Sequence, residues 1–333
     1  MVTIKGIAKE AGVSVGTVSK VLNYDRTVTV KNRNKVIEAI KKLNYRPNRL
    51  ARSLSKGKTK NVGFIIPDIS NPFFPELVRG ASDLLLSEGY YVFLCNSDND
   101  PNKEDMYIND LTSMWIDGLI IAPSDTENRD IGIFKQILLP FVVVDREIKG
   151  LNKDLVIINN KKGAYEAVVH LINKGHKKIA ILTGPKYAQT AQYRYAGWKK
   201  AMEENSLFDD KLVFWGKFSI DSGYNMMREV FKSLGKVDAV FTCNDLIALG
   251  AMQAIEENKF TISDGISIVG FDDIYLSKFL KPPLTTVKQP TYEMGKTAAK
   301  LLLERMENIK ECLPRKIVVE GKLIVRSSVA QKT

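Results

Sequence analysis

The most constraining feature of this chain is an alternation that begins at Asn61, in which short apolar runs are followed by amphipathic stretches of helical period. Val62–Ile66, Tyr91–Cys95, Gly118–Ala122, Phe141–Asp145 and Leu155–Ile158 read as buried parallel strands. Helices are expected between them at Phe74–Glu88, Lys103–Trp115 and Ile131–Leu138. The pattern then starts again. Lys178–Leu182, Leu212–Trp215, Asp238–Thr242 and Ile266–Gly270 read as strands, and Gly163–Lys174, Arg194–Asn205, Ser222–Leu234 and Leu246–Asn258 as helices. Strand–helix repetition of this kind builds parallel sheets covered on both faces. The expected class is α/β, with two doubly wound parallel-sheet subdomains. About 270 residues are enough to bury two cores.

The first 60 residues follow a different pattern. They hold 15 Lys/Arg and 3 acids, a net +12, whereas the whole chain carries 49 basic and 38 acidic residues, or +11. The remainder is therefore 34 against 35, or −1. A strongly basic segment on a neutral body points to a polyanion partner for that segment alone. Its residue order predicts a helix-turn-helix. Thr3 can cap a helix through Ala11, Gly12 supplies a left-handed turn, and Ser14 caps a second helix from Val15 to Leu22, on which Thr17 and Ser19 are expected to point freely outward. Thr29 can cap a third, with Val36, Ile37, Ile40 and Leu43 on its inner face. The second helix is the natural reader of the major groove. Val15, Gly16 and Lys20 are placed to meet base edges, and Ser14, Thr17, Ser19 and Asn23 to meet phosphates. Residues 47–59 form a linker in which Asn48, Arg49, Ala51, Arg52 and Leu54 fall in a stretch long enough for two helical turns, which is marginal alone in water.

Ligands in doubly wound folds sit beyond the carboxyl ends of the strands. Asn71, Phe73 and Phe74 follow the first strand. Asp145 and Arg146 end the fourth. Arg194, Phe218, Asn244, Asp272 and Gln289 stand at corresponding places in the second half. Aromatic faces with Asp, Asn and Arg suit a small polyol, whose C–H surface stacks while its hydroxyls pair.

Thr3 to Asn23 and Leu43 to Leu54 resemble the headpiece of the lactose/galactose-repressor family of bacterial transcription regulators. Asp68–Phe74, Gly175–Ala180 and Leu284–Pro290 resemble that family's effector domain, so the likeness spans nearly the whole chain. Two departures are Gly6, where the family usually has Asp, and Lys20, where Arg is common. The resemblance implies a headpiece at 1–46, a hinge helix at 47–59 that orders on operator DNA with Leu54 as a minor-groove wedge, and subdomains of 60–159 with 290–320 and 160–289 with 321–333. More narrowly, the strand-end residues resemble those of ribose-operon repressors. Phe74 and Phe218 would sandwich the ring, and Asp145, Arg146, Arg194, Asn244, Asp272 and Gln289 would bind hydroxyls. Purine-responsive members carry an extra Arg ahead of the Arg194 motif, where this chain has Ala188-Gln189-Thr190.

The expected protein is a cytoplasmic homodimeric repressor of double-stranded operator DNA, induced by a small sugar, ribose above others. The competing reading is a catabolite-type global regulator with a protein or sugar-phosphate corepressor, or a repressor for another pentose or hexose. No enzyme, cofactor, metal site or membrane partner is expected. Gly295-Lys296-Thr297 lacks the frame of a P-loop. Cys95, Cys243 and Cys312 are too scattered for a zinc or disulfide framework, and His170 and His176 do not have metal-site spacing. No apolar run is long enough to span a bilayer, and no signal peptide is expected ahead of Thr3.

Overall fold

The computed structural model describes residues 3–22, 25–45, 58–114, 116–124, 129–307 and 313–332. It divides into two compact units, Met1–Thr59 and Lys60–Thr333.

The first unit is a three-helix bundle of α1 (Ile4–Ala11), α2 (Val15–Leu22) and α3 (Val30–Lys42). Thr3 caps α1 by accepting the Gly6 amide, and Gly12 ends it at φ 62°, a conformation that costs glycine least. Ser14 Oγ accepts the Thr17 amide at 3.1 Å, and Thr29 caps α3. Ile7, Ala8, Val18, Val21, Val36 and Ala39 form the core. Two expectations need correction. Ile37 is exposed and Ala39 takes the inner position, because the buried stripe of α3 runs through positions 36, 39, 40 and 43. Thr17 is half-buried and tied to Ser14, so it is not a free outward side chain. Asn23 lies outside the described residues, as do Asn48, Arg49, Ala51, Arg52 and Leu54 of the expected hinge and Trp115 at the end of one expected helix.

The second unit contains two six-stranded sheets. Sheet A has the order β11-β5-β4-β3-β1-β2, with β1 (Asn61–Ile66), β2 (Tyr91–Asn96), β3 (Gly118–Ile121), β4 (Phe141–Val144), β5 (Asp154–Ile158) and β11 (Lys316–Val319). Sheet B has the order β12-β10-β9-β8-β6-β7, with β6 (Ile179–Thr183), β7 (Val213–Trp215), β8 (Ala239–Thr242), β9 (Ser267–Asp272), β10 (Thr285–Lys288) and β12 (Lys322–Ile324). Every pairing is parallel except that of β10 with β12, which is antiparallel. Alternate residues of β1 serve cores on opposite faces of sheet A: Phe64 and Ile66 on one side, Ile65 on the other. The chain passes between sheets three times, from β5 to β6, from β10 towards β11, and from β11 to β12.

Helices cover both sheets: α4 (Phe73–Ser87), α5 (Pro101–Ser113), α6 (Gly132–Gln136), α7 (Asn160–Asn173), α8 (Gln189–Glu204), α9 (Ile220–Leu234), α10 (Asp245–Glu257) and α11 (Thr291–Glu307). Backbone-close crossings recur. A Cβ on Gly80 would lie 2.0 Å from the Tyr292 carbonyl oxygen and one on Gly295 1.9 Å from that of Leu77, joining α4 to α11. A Cβ on Gly250 would lie 1.9 Å from the Ile220 carbonyl oxygen in the corresponding α9–α10 crossing.

One strand departs from its expected environment. β2 is the free edge of sheet A, and Tyr91, Phe93 and Leu94 are exposed rather than buried. The apolar-run reading also omits β10, β11 and β12. The last two are short and partly exposed, so their partners rather than their own pattern make them strands.

Candidate functional site

On the first unit the N-terminal end of α2 presents an exposed polar surface. Val15 is 45% exposed, and Ser14, Gly16, Ser19 and Lys20 are exposed beside it. Thr3 lies exposed at the start of α1. Asp25 accepts the amide and hydroxyl of Thr27, and these bonds, with the charges of Lys20 and Arg33, hold its carboxyl below the usual range. An apolar residue, a bare backbone position and one cation at the head of a helix can meet base edges, while the hydroxyls can meet phosphates.

In the second unit the carboxyl ends of both sheets face one cavity. Asn71, Phe73, Phe74, Asp145, Arg146, Arg194, Phe218, Asn244, Asp272 and Gln289 all line it, together with Thr190. The topology explains the convergence. Asp145 and Arg146 follow β4, Asn244 follows β8 and caps α10, Asp272 ends β9, and Gln289 follows β10. Phe73 and Phe74 open α4, with ring centroids 5.0 Å apart at 84°. Asp145 and Asp272 sit at φ 72° and 112°, backbone that non-glycine residues rarely adopt and that concentrates at functional sites.

The polar side chains in this cavity are buried and interlinked. Arg194 donates from Nε to Asn160 Oδ1 at 2.8 Å, from Nη1 to the Cys243 carbonyl, and approaches Asp272 Oδ1 at 3.3 Å. Its guanidinium lies 3.8 Å from the Phe271 ring centroid, a cation–π arrangement. Gln289 Nε2 donates to Asp272 at 2.7 Å, and its Oε1 has no hydrogen-bond partner. Arg146 donates to the Pro123 and Ser124 carbonyls at 2.9 and 2.8 Å and pairs with Asp145 at 3.3 Å. Burial pushes the Asp272 carboxyl up to about 7, against the opposing pull of Arg194. Burial likewise raises Asp145, against Arg146 and Arg194. Two guanidiniums balance two carboxylates, so the cavity is polar without a spare cation cluster. Such a set can bind hydroxyls in both senses, as donors to carboxylate and amide oxygen and as acceptors from guanidinium.

The cavity holds about 20 Å³, room for about one water and far below the ~300–1,000 Å³ of pockets that enclose ligands. The Glu147 amide donates to Gln189 Oε1 at 2.9 Å, joining the loop after β4 to α8 across the two halves. A ligand therefore requires the halves to part. A larger hollow of about 700 Å³ lies beside β7, but its polar residues Lys217, Asp221, Asn225 and Glu229 are exposed, and no buried charge converges there.

Three residues shape the cavity that the sequence does not mark as ligand-contacting. Thr190 is four residues before Arg194 on α8, hence on the same face, and that spacing could have revealed it. Asn160 orients Arg194. Gly184 follows β6, and a Cβ there would lie 2.3 Å from the Phe218 ring, so only glycine lets that ring lie against the wall. Among the described residues no helix is long and apolar enough to cross a membrane, and no group of His, Cys, Asp and Glu could hold a metal ion.

The family model for periplasmic binding proteins and the sugar binding domain of the LacI family matches residues 59–325, and that for bacterial regulatory proteins of the lacI family matches residues 3–48. The chain is 36% identical over 331 residues to the HTH-type transcriptional repressor PurR of Mannheimia succiniciproducens, covering 99% of each. It is 38% identical over 328 residues to the ribose operon repressor of Halalkalibacterium halodurans, covering 98% of this chain and 97% of that one. The lac repressor dimer bound to operator and the anti-inducer ONPF superposes with a TM-score of 0.89 at 27% identity, over 99% of both chains. A LacI family transcriptional regulator from Enterococcus faecium with bound ribose gives 0.74 at 31% identity, over 82% of this chain and all of that one. The chain thus belongs to the LacI family of bacterial transcription regulators, as a DNA-binding repressor with a ligand-binding effector domain.

Proposed function

We propose that this repressor is a cytoplasmic homodimer that holds operator DNA in the absence of ribose and releases it when ribose binds. The observation that carries the reading is the single buried cavity in which Phe74, Phe218, Asp145, Arg146, Arg194, Asn244, Asp272 and Gln289 meet. Overall identity does not separate a PurR from a ribose repressor, since both lie at 36–38%. One feature of the cavity lining supports ribose. Thr190 lines it, and purine-responsive members resembling this chain place a base-recognising Arg in that stretch. The ribose-bound Enterococcus faecium relative supports the same choice.

Two exposed apolar faces support the homodimer. Leu86, Tyr91, Phe93 and Leu94 cluster near the free edge of sheet A, and Tyr275, Leu276 and Phe279 project from a short 3₁₀ segment in the second half. Large apolar side chains left exposed in such groups are candidates for an interface. A two-fold dimer would present two α2 helices to the two halves of a pseudo-palindromic operator. On the DNA, Val15, Gly16 and Lys20 read bases, and Leu54 wedges the minor groove from the hinge.

Isothermal calorimetry with ribose, other pentoses, a hexose and a purine base tests the effector. Ribose should bind at one site per chain, and the purine should not. A purine that binds while ribose does not would replace this reading.

A further inference from the structure

Asp245 stands next to Asn244 but does not line the cavity. Its side chain is fully buried. Oδ2 accepts the Ile274 amide at 3.0 Å and the Ser277 hydroxyl at 2.6 Å. Oδ1 accepts the Thr286 hydroxyl at 2.6 Å. None of these partners is charged, and burial pushes the carboxyl up to about 6. A solitary buried carboxylate costs stability unless its bonds are well made.

Each bond leads to a different part of the cleft wall. Ile274 follows Asp272 and Asp273, whose φ angles are 112° and 55°. A backbone held in that region needs its neighbours to fix it, and the Ile274 amide is the anchor on the far side of the turn. Thr286 lies on β10, three residues before Gln289, and Gln289 in turn donates to Asp272. Ser277 belongs to the segment that exposes Tyr275, Leu276 and Phe279. The space for the carboxylate is also reserved: a Cβ on Gly270 would sit 2.2 Å from Asp245 Oδ1.

We infer that Asp245 is a positioning residue for the effector site, which locks the Asp272–Ile274 turn and β10 together so that Asp272 and Gln289 meet the ligand, and which ties that wall to the exposed 275–279 segment. The inference rests on the reading of the cavity as the effector site. It does not need Asp245 to touch the ligand.

Asparagine can replace the carboxylate here. Its Oδ1 accepts the Ile274 amide, its Nδ2 donates, and the two hydroxyls can turn to suit. Alanine leaves the Ile274 amide and both hydroxyls without their acceptor.

The experiment compares Asp245→Asn and Asp245→Ala in the full chain, by ribose calorimetry well below both melting temperatures and by hydrogen exchange of peptides covering 272–279. Asp245→Ala should weaken ribose binding about tenfold or more, the loss of one well-placed hydrogen bond, and should speed exchange at 272–279 before the rest of the chain. Asp245→Asn should restore both. In an Asp272→Asn background the alanine change should add little, since coupled residues are not additive. A purely stabilising Asp245 would lower the melting temperature and leave the affinity of the folded protein unchanged. That result, or exchange accelerated uniformly along the chain, overturns the inference. If the wild-type chain binds no ribose, the ribose reading fails by itself, and exchange at 272–279 still decides the role of Asp245. If Asp245→Ala does not fold, Ser277→Ala and Thr286→Val each remove one bond and are read the same way.

Discussion

Replacing Arg194 by alanine removes the group on which the cavity depends most. The guanidinium is 4% exposed, bonds to Asn160, Cys243 and Asp272, and covers the Phe271 ring. Two quantities follow. Breaking a buried ion pair by removing one member costs about 3–5 kcal/mol of stability, because a buried charge is left alone. Here the loss should sit at the lower end, since Asp272, already pushed up to about 7, can take a proton. For the ligand, a hydrogen bond to a charged group is worth about 1.5–3 kcal/mol, so one lost bond weakens ribose binding roughly ten- to hundredfold. Urea denaturation measures the first and calorimetry the second. Operator affinity without ribose should change little, because the DNA-reading residues belong to the other compact unit. An Arg194→Ala protein that keeps ribose affinity within about twofold would refute the placing of the effector site.

Further consequences concern pH, packing and salt. Ribose binding should strengthen as pH rises through about 7, because the Asp272 carboxyl must ionise to accept a hydroxyl fully; Asp272→Asn should flatten that profile. The stability sign is opposite. The folded pKa lies above the ordinary 3.8, so the folded state binds the extra proton, and the stability from this group falls as pH rises from about 4 to about 7. Asp272→Asn should therefore gain stability relative to wild type at pH 8 compared with pH 5, measured by urea denaturation at each pH. Gly250→Ala should destabilise by about 1–3 kcal/mol or more, because its Cβ would meet a backbone carbonyl at 1.9 Å that cannot move alone; a neutral effect in denaturation would show that the α9–α10 crossing can relax. Operator affinity should fall steeply with salt, with a log–log slope of several units, and a fragment beginning at Lys60 should bind ribose without DNA; retained operator affinity in that fragment would place DNA recognition elsewhere.

The inner strands of both sheets are readable in the sequence because burial on two faces leaves unbroken apolar runs such as Val62–Ile66. The same rule misplaces β2. Tyr91, Phe93 and Leu94 are as apolar as core residues, and sequence alone cannot tell a buried strand from an exposed edge. β11 and β12 carry too little pattern of their own, since long-range pairing with β5 and β10 makes them strands. The cavity residues are readable because fold geometry sends ligands to strand ends, and large or charged residues at those ends are conspicuous. Thr190, Asn160 and Gly184 act through helix spacing, a second partner and an absent side chain, and none of these is a large or charged group that would mark a strand end. Asp245 is conspicuous after a strand, but its role is not, since its three partners lie 29 to 41 residues away.

The central claim is that one ligand site governs DNA affinity. The direct measurement is a fluorescence-anisotropy titration of a selected operator duplex with the full chain, with and without saturating ribose. Ribose should weaken operator binding by about 5–150-fold, the usual range of coupling between two sites, and by linkage the operator should weaken ribose binding by the same factor. Tighter operator binding in ribose would make the sugar a corepressor. Unchanged operator affinity while ribose occupies its site would contradict the account.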